Sequence, residues 1–199
     1  MSWRARPAVR IVGSAVSWFG LALCISLLLH VALIVMALGG SCAEGGAYEI
    51  AVECPEGVAA LAPLSIWGGL ASVAVWIFFA GGFGTPIPGW AWFVLFGGLS
   101  IPFSLSGDPA GLIVAAVFFI MGIVPIGLEL RANPIRTLIG TNDAKGNAFL
   151  FADNSRRSLL SSTAPLDGVV EPNPGHWLLG LGVPVASSIL GALVGVSLY

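Results

Sequence analysis

The chain is a series of long apolar runs separated by polar joints, of which the longest is 131–175. An α-helix needs about twenty apolar residues to cross roughly 30 Å of hydrocarbon. Runs of about this length predict five spans, at residues 11–39, 61–82, 90–105, 110–130 and 177–198. The short alternating segments typical of a membrane β-barrel do not occur in the sequence. We therefore predict an all-α fold, a polytopic transmembrane bundle that forms a single membrane domain over residues 1–199.

Turn residues mark the joints between the spans. Proline and glycine are dense at 83–89, which predicts a non-helical link before the third span. In Gly107-Asp108-Pro109 we expect a turn, with Asp108 as the N-cap of the fourth helix. The third span is the shortest, and a re-entrant hairpin is its alternative.

The distribution of charge supports the membrane class and predicts the orientation. Only 9% of the residues are charged, against about a quarter in soluble domains. All eight Lys and Arg lie either before the first span or within 131–175. The positive-inside rule then predicts a cytoplasmic N-terminus, an outer C-terminus and five spans, because a re-entrant third span would export the 131–175 segment. We expect the bilayer of the cell membrane as the environment, with no nucleic-acid partner. We place the 40–60 loop outside and the 131–175 loop in the cytoplasm.

The N-terminal run has two alternative interpretations. A basic start followed by an apolar stretch also describes a signal peptide, but this stretch is nearly twice the usual length of the apolar region. Small residues before Cys42 resemble a lipoprotein cleavage site, although Gly39 stands where Leu is expected. We predict that the first helix stays in the mature protein.

Cys42 and Cys54 bracket the predicted outer loop. Thiols outside the cytoplasm tend to be oxidised, so we expect a structural disulfide between them. The alternative is a redox-active pair, which usually has the spacing Cys-x-x-Cys. The third cysteine, Cys24, lies within the first span.

Few other residues indicate chemistry. His30 is an ionisable residue within a span and is a possible functional position, but we favour a structural interpretation, a neutral imidazole bonded within the bundle, for example to Ser26. Ser187, Gly191 and Gly195 recur at every fourth position, which predicts a helix-packing face. Phosphate-loop, HExxH and Gly-x-Ser-x-Gly motifs are absent from the sequence. We predict no catalytic, cofactor-binding or metal-ligating residue.

The outer loop carries a family resemblance. Its segments Gly40-Ser41-Cys42-Ala43-Glu44-Gly45-Gly46 and Cys54-Pro55-Glu56-Gly57, with the flanking spans, resemble those of small multi-pass membrane proteins of actinobacteria. The resemblance covers about a third of the chain. No activity is established for that group, so the resemblance implies no catalytic residue here.

Three functions are compatible with this pattern. The first is a non-enzymatic accessory or scaffold subunit that contacts a membrane-protein partner. The second is a small transporter or channel acting as a homo-oligomer, indicated by prolines within the fourth and fifth spans, at Pro125 and Pro184. The third is a membrane enzyme that uses the cysteines or His30, most simply a membrane thiol oxidoreductase. The shortage of intramembrane carboxylates favours the first over ion-coupled transport.

Overall fold

The computed structural model describes residues 7–38, Cys42, 52–105, 107–132, 134–140 and 174–198, and the predicted loops 40–60 and 131–175 lie partly outside these ranges. Six α-helices occur in this part of the chain. They are α1 (Pro7–Ala37), α2 (Val58–Val75, continued by a π-helical turn, Trp76–Ala80), α3 (Ile87–Leu105), α4 (Pro109–Ala132), the short α5 (Pro134–Ile139) and α6 (Pro174–Ser197).

All of these except α5 are long and apolar enough to cross a membrane. The predicted all-helical fold with five candidate spans is therefore confirmed. An isolated antiparallel bridge pairs Phe83 with Gly140.

Proline explains where several helices begin. Pro109, Pro134 and Pro174 are each the first residue of a helix, where the missing N–H of proline would have had no intrahelical partner. The prediction that the whole 83–89 link is non-helical is wrong for its end, because α3 begins at Ile87 and has a proline in its first turn. The predicted cap of α4 is confirmed: the Gly111 N–H donates to Asp108 Oδ1 at 2.8 Å.

Helix α1 lies at the centre of the bundle and packs against α2, α3 and α6. Helices α3 and α4 form a hairpin, and α5 joins α4 to α6. We call the end where α1, α3 and α6 begin the basal end, and the opposite end the apical end. Beside the basal half of α1 lies an apolar core of six residues, Trp18, Leu21, Ile25, Trp76, Ala80 and Ile87.

Small residues bring α6 against α1. A Cβ added to Gly191 would collide with the Phe19 carbonyl oxygen, and one added to Gly195 would lie 2.7 Å from the Ser26 Cβ. The Ser26 hydroxyl in turn donates to the Ala192 carbonyl at 3.5 Å. In a lipid environment such close backbone approach supplies packing that the hydrophobic effect does not. Ser187, the third residue of this predicted packing face, is half-buried.

The contact of α1 with α2 is equally close. A Cβ on Gly20 would lie 2.6 Å from Ser72 Oγ, and one on Gly68 would lie 2.5 Å from Cys24 Sγ. Ser72 turns its hydroxyl back to the Gly68 carbonyl, at 2.9 Å, which satisfies this polar group inside the helix pair.

Candidate functional site

The densest group of buried polar side chains lies at the basal end. We call it the basal junction; it comprises the 81–86 loop, the first turns of α1 and α6, and α5 with Gly140. Its buried polar residues are Arg10, Ser14, Thr85, Thr137 and His176, none of which is more than 7% exposed. Polar groups at this depth need partners, because an unsatisfied one costs about 1–3 kcal/mol.

Glycine makes the close docking of the loop possible. Gly82 and Gly84 have φ of 88° and 78°, and Gly140 has φ of 80°, a backbone region that favours residues without a Cβ. A Cβ on Gly140 would collide with the Gly82 carbonyl oxygen and lie 2.6 Å from that of Gly84. The end of α5 therefore rests directly on the loop backbone.

Thr85 joins the 81–86 loop to three helices through hydrogen bonds. Its N–H donates to the Gly180 carbonyl of α6 at 3.1 Å. Its hydroxyl donates to the Leu138 carbonyl of α5 at 2.7 Å. Its own carbonyl accepts the indole N–H of Trp18, on α1, at 2.9 Å. The loop is thereby fixed to three helices at once.

His176 and Trp90 complete the attachment of α5. His176 is 1% exposed, and its Nε2 lies 3.1 Å from the Ile139 carbonyl oxygen. Because a carbonyl can only accept, Nε2 must be the protonated nitrogen in this bond. Trp90, on α3, donates its indole N–H to the Thr137 carbonyl at 2.8 Å. Both side chains therefore bind the backbone of α5.

Charged residues also cluster at the basal end. Arg10 is 1% exposed and lies one turn before Ser14 on α1. Burial lowers the pKa of the Arg136 guanidinium, and the negative charge of Glu129 opposes that change. A Cβ on Gly89 would lie 2.7 Å from the Glu129 carboxylate, so this carboxylate reaches the start of α3.

The cysteines are divided between two places. Cys42 and Cys54 form a disulfide at the apical end, with their Cα atoms 5.0 Å apart, as the sequence predicts. Cys24 has a free, half-buried thiol. Thirteen residues of helix separate it from the end of α1 at Ala37, which is about 20 Å along the helix axis.

The two histidines are also far apart. His30 is half-buried in the apical half of α1, about 30 Å along the helix from Arg10 and the basal junction. Among the described residues, no three His, Cys, Asp or Glu side chains come together in a way that could hold a metal ion. The proposed role of His30 stays a prediction.

A groove opens on the outer surface between α1 and the end of α2. Its volume is about 390 Å³. Its lining is apolar and consists of Ala8, Val9, Val12, Gly13, Val16, Val75 and Phe79. Gly13 packs so closely on α2 that a Cβ there would lie 2.7 Å from the Phe79 backbone, and this absence of a side chain shapes the floor of the groove.

Sequence reasoning missed the basal junction. It predicted a non-helical link at 83–89 and gave no site role to Trp90 or His176. The available signal was the combination of Gly82, Gly84 and Thr85 in a link with no charged residue, a composition suited to a buried loop rather than an exposed one.

Comparison with known proteins gives no relative from which to transfer a function. No protein-family model matches the chain, and neither a curated protein nor a solved structure matches it at a significant level.

Proposed function

We propose that the chain is a non-enzymatic accessory or scaffold subunit of the cell membrane, which acts through contacts with a membrane-protein partner. The observation that supports this role most is the use of polar side chains at the basal junction. Backbone carbonyls of neighbouring elements in the same chain form hydrogen bonds with the side chains of Trp18, Thr85, Trp90 and His176. These groups hold helices together instead of facing a substrate.

The one strongly buried imidazole illustrates the point. A general acid or base must reach the proton it transfers, within hydrogen-bond distance in a plausible substrate pose. His176 is 1% exposed and its Nε2 is engaged with α5, so a substrate would meet it only after the junction opened. A binding role requires no such opening.

The arrangement of the cysteines favours the accessory role over the oxidoreductase alternative. Exchange requires a thiolate to attack a disulfide sulfur directly. Cys24 lies about 20 Å along α1 from the helix end that leads to the Cys42–Cys54 bridge. The transporter alternative keeps the support of Pro125 and Pro184, which lie inside α4 and α6.

The decisive experiment is purification of the tagged chain from native membranes in mild detergent, with mass spectrometry of the co-eluting proteins. The control is an unrelated five-span protein with the same tag and expression level. We expect one partner at a fixed stoichiometry, and a lower level of that partner in membranes when the gene for this chain is deleted. Elution of the chain alone, combined with solute uptake or conductance in liposomes, would instead support the transporter.

We further propose that the basal end faces the cytoplasm. The support is the positive-inside rule, because the basic residues that the structure describes, Arg10, Arg131 and Arg136, all lie at the basal end. Two exposed positions at opposite ends, Glu56 and Ile135, allow a test. A membrane-impermeant maleimide should label Glu56→Cys in intact cells and Ile135→Cys only after permeabilisation, with the parent chain as the control for Cys24. The reverse labelling would overturn the orientation.

A further inference from the structure

We infer that the groove between α1 and α2 binds one acyl chain of an anionic phospholipid, whose headgroup lies against the basal end of the bundle. The first support is the chemistry of the groove. Its lining is apolar throughout, and its volume of about 390 Å³ falls within the range of about 300–1,000 Å³ that is usual for small-molecule sites. Such a surface suits a hydrocarbon chain and offers nothing to a polar solute.

The second support is the depth of the groove along α1. The lining residues of α1 run from Ala8 to Val16, a height of about 12 Å. The helix has 31 residues and so extends about 45 Å, enough to cover the headgroup layers as well as the hydrocarbon. The basal part of the groove then lies at headgroup level, and its upper part lies beside the first acyl carbons.

The third support is charge complementarity, which selects the headgroup. Among the described residues, the basal end has three basic side chains, Arg10, Arg131 and Arg136, and one acidic side chain, Glu129. The described residues of the apical joints include the acidic side chains Glu53, Glu56 and Asp108 and no basic one. An anionic headgroup is attracted to the basal end and repelled from the apical end, and basic side chains near a membrane surface act in this way. Lipid binding here is independent of whether the chain serves a partner protein.

The chain offers a closely matched set of valines for a test. Val12 and Val16 line the groove and are 59% and 54% exposed. Val185, on α6, is 53% exposed and lies outside the groove. A tryptophan at either groove position would fill it, whereas Val185→Trp adds the same side chain to another outward-facing surface.

The experiment is native mass spectrometry of the full chain in detergent. The protein is mixed with equal amounts of phosphatidylglycerol and phosphatidylcholine that carry identical acyl chains. We expect one bound lipid, with phosphatidylglycerol preferred at least about fivefold, the effect of one basic side chain near an anionic headgroup. Val12→Trp and Val16→Trp should abolish this preference and the retained lipid, while Val185→Trp should keep both.

Three results would overturn the inference. The first is equal retention of the two lipids by the parent chain. The second is phosphatidylglycerol retained unchanged by both groove variants, provided that their unfolding temperatures match that of Val185→Trp. The third is a homodimer that Val12→Trp converts to monomer, which would assign the groove to a second copy of the chain. If Val12→Trp fails to fold, Val16→Trp, two turns from the basal end, decides between these outcomes.

Discussion

Replacing Gly140 with alanine should destabilise the protein by breaking the contact between α5 and the 81–86 loop. Gly140 has φ of 80°, and a Cβ there would meet the carbonyl oxygens of Gly82 and Gly84. The loop and α5 are both fixed by other bonds, so neither can move aside without losing those of Thr85. The substitution therefore tests the central contact of the basal junction.

The expected magnitude has two parts. The left-handed backbone costs a residue with a Cβ about 1–2 kcal/mol. Forcing a methyl group into a packed site costs about 1–3 kcal/mol more. Gly57 separates the two parts, because its φ is 85° and a Cβ there would meet nothing within 4 Å. Gly57→Ala should show only the backbone part, and Gly140→Ala should show the sum of about 2–5 kcal/mol. The change in unfolded-chain entropy is common to both variants.

The assay is thermal unfolding of the two variants and the parent chain in one detergent, followed by tryptophan fluorescence. All scans use one rate, because irreversible unfolding makes the apparent Tm depend on it. At about 2–4 °C per kcal/mol for a chain of this length, Gly57→Ala should lower the Tm by about 2–8 °C. Gly140→Ala should lower it by about a further 2–12 °C. Equal losses in the two variants would show that α5 does not rest on the loop backbone, and the account of the basal junction would be wrong.

Three further predictions use the same thermal assay. Gly191→Ala should destabilise the protein by about 1–3 kcal/mol, because the added Cβ would meet α1. The control Gly182→Ala, where a Cβ would meet nothing within 4 Å, should leave the Tm unchanged or higher. A similar fall in Tm in both variants would contradict the α1–α6 packing. Trp90→Phe should lower the free energy of unfolding by about 0.5–1.5 kcal/mol, because the indole hydrogen bond is lost. The control Trp67→Phe, at a side chain 70% exposed, should leave the Tm unchanged. An unchanged Tm in Trp90→Phe would show that this hydrogen bond does not stabilise the junction. Cys54→Ser should destabilise the protein by about 2–3 kcal/mol and make the Tm insensitive to reductant. Partner binding should be retained. Loss of partner binding in a folded Cys54→Ser variant would favour the redox alternative.

Local patterns in the sequence were sufficient to predict the membrane-length helices and the disulfide in the joint between α1 and α2. Span number follows from apolar length, because the cost of leaving backbone groups unsatisfied in hydrocarbon makes a long apolar run helical whatever its neighbours are. The cap at Asp108 is also local, since its partner is three residues away. The Cys42–Cys54 bridge joins the only two cysteines in the same predicted loop, so its partners were determined without knowledge of the packing.

Helix boundaries were predicted less well where proline is involved. The link at 83–89 contains two prolines and two glycines, and this density indicates a break. Proline at the first turn of a helix satisfies the same composition, and α3 begins there at Ile87. Composition alone cannot separate a proline that ends a helix from one that starts it, because both lack the N–H that the interior requires.

The tertiary structure alone decided which helices touch and where the polar groups go. Thr85 reaches Leu138, 53 residues away, and His176 reaches Ile139 across 37 residues. Apolar helices in a bundle carry almost no periodic signal that distinguishes a lipid-facing side from a protein-facing one, since both are hydrophobic. The sequence by itself therefore determined how many membrane-length helices form, but not the short helix α5 or the residue at which α3 begins. Only the folded bundle determined that a glycine-rich loop between two of them is buried, because its burial depends on backbone carbonyls supplied by distant parts of the chain.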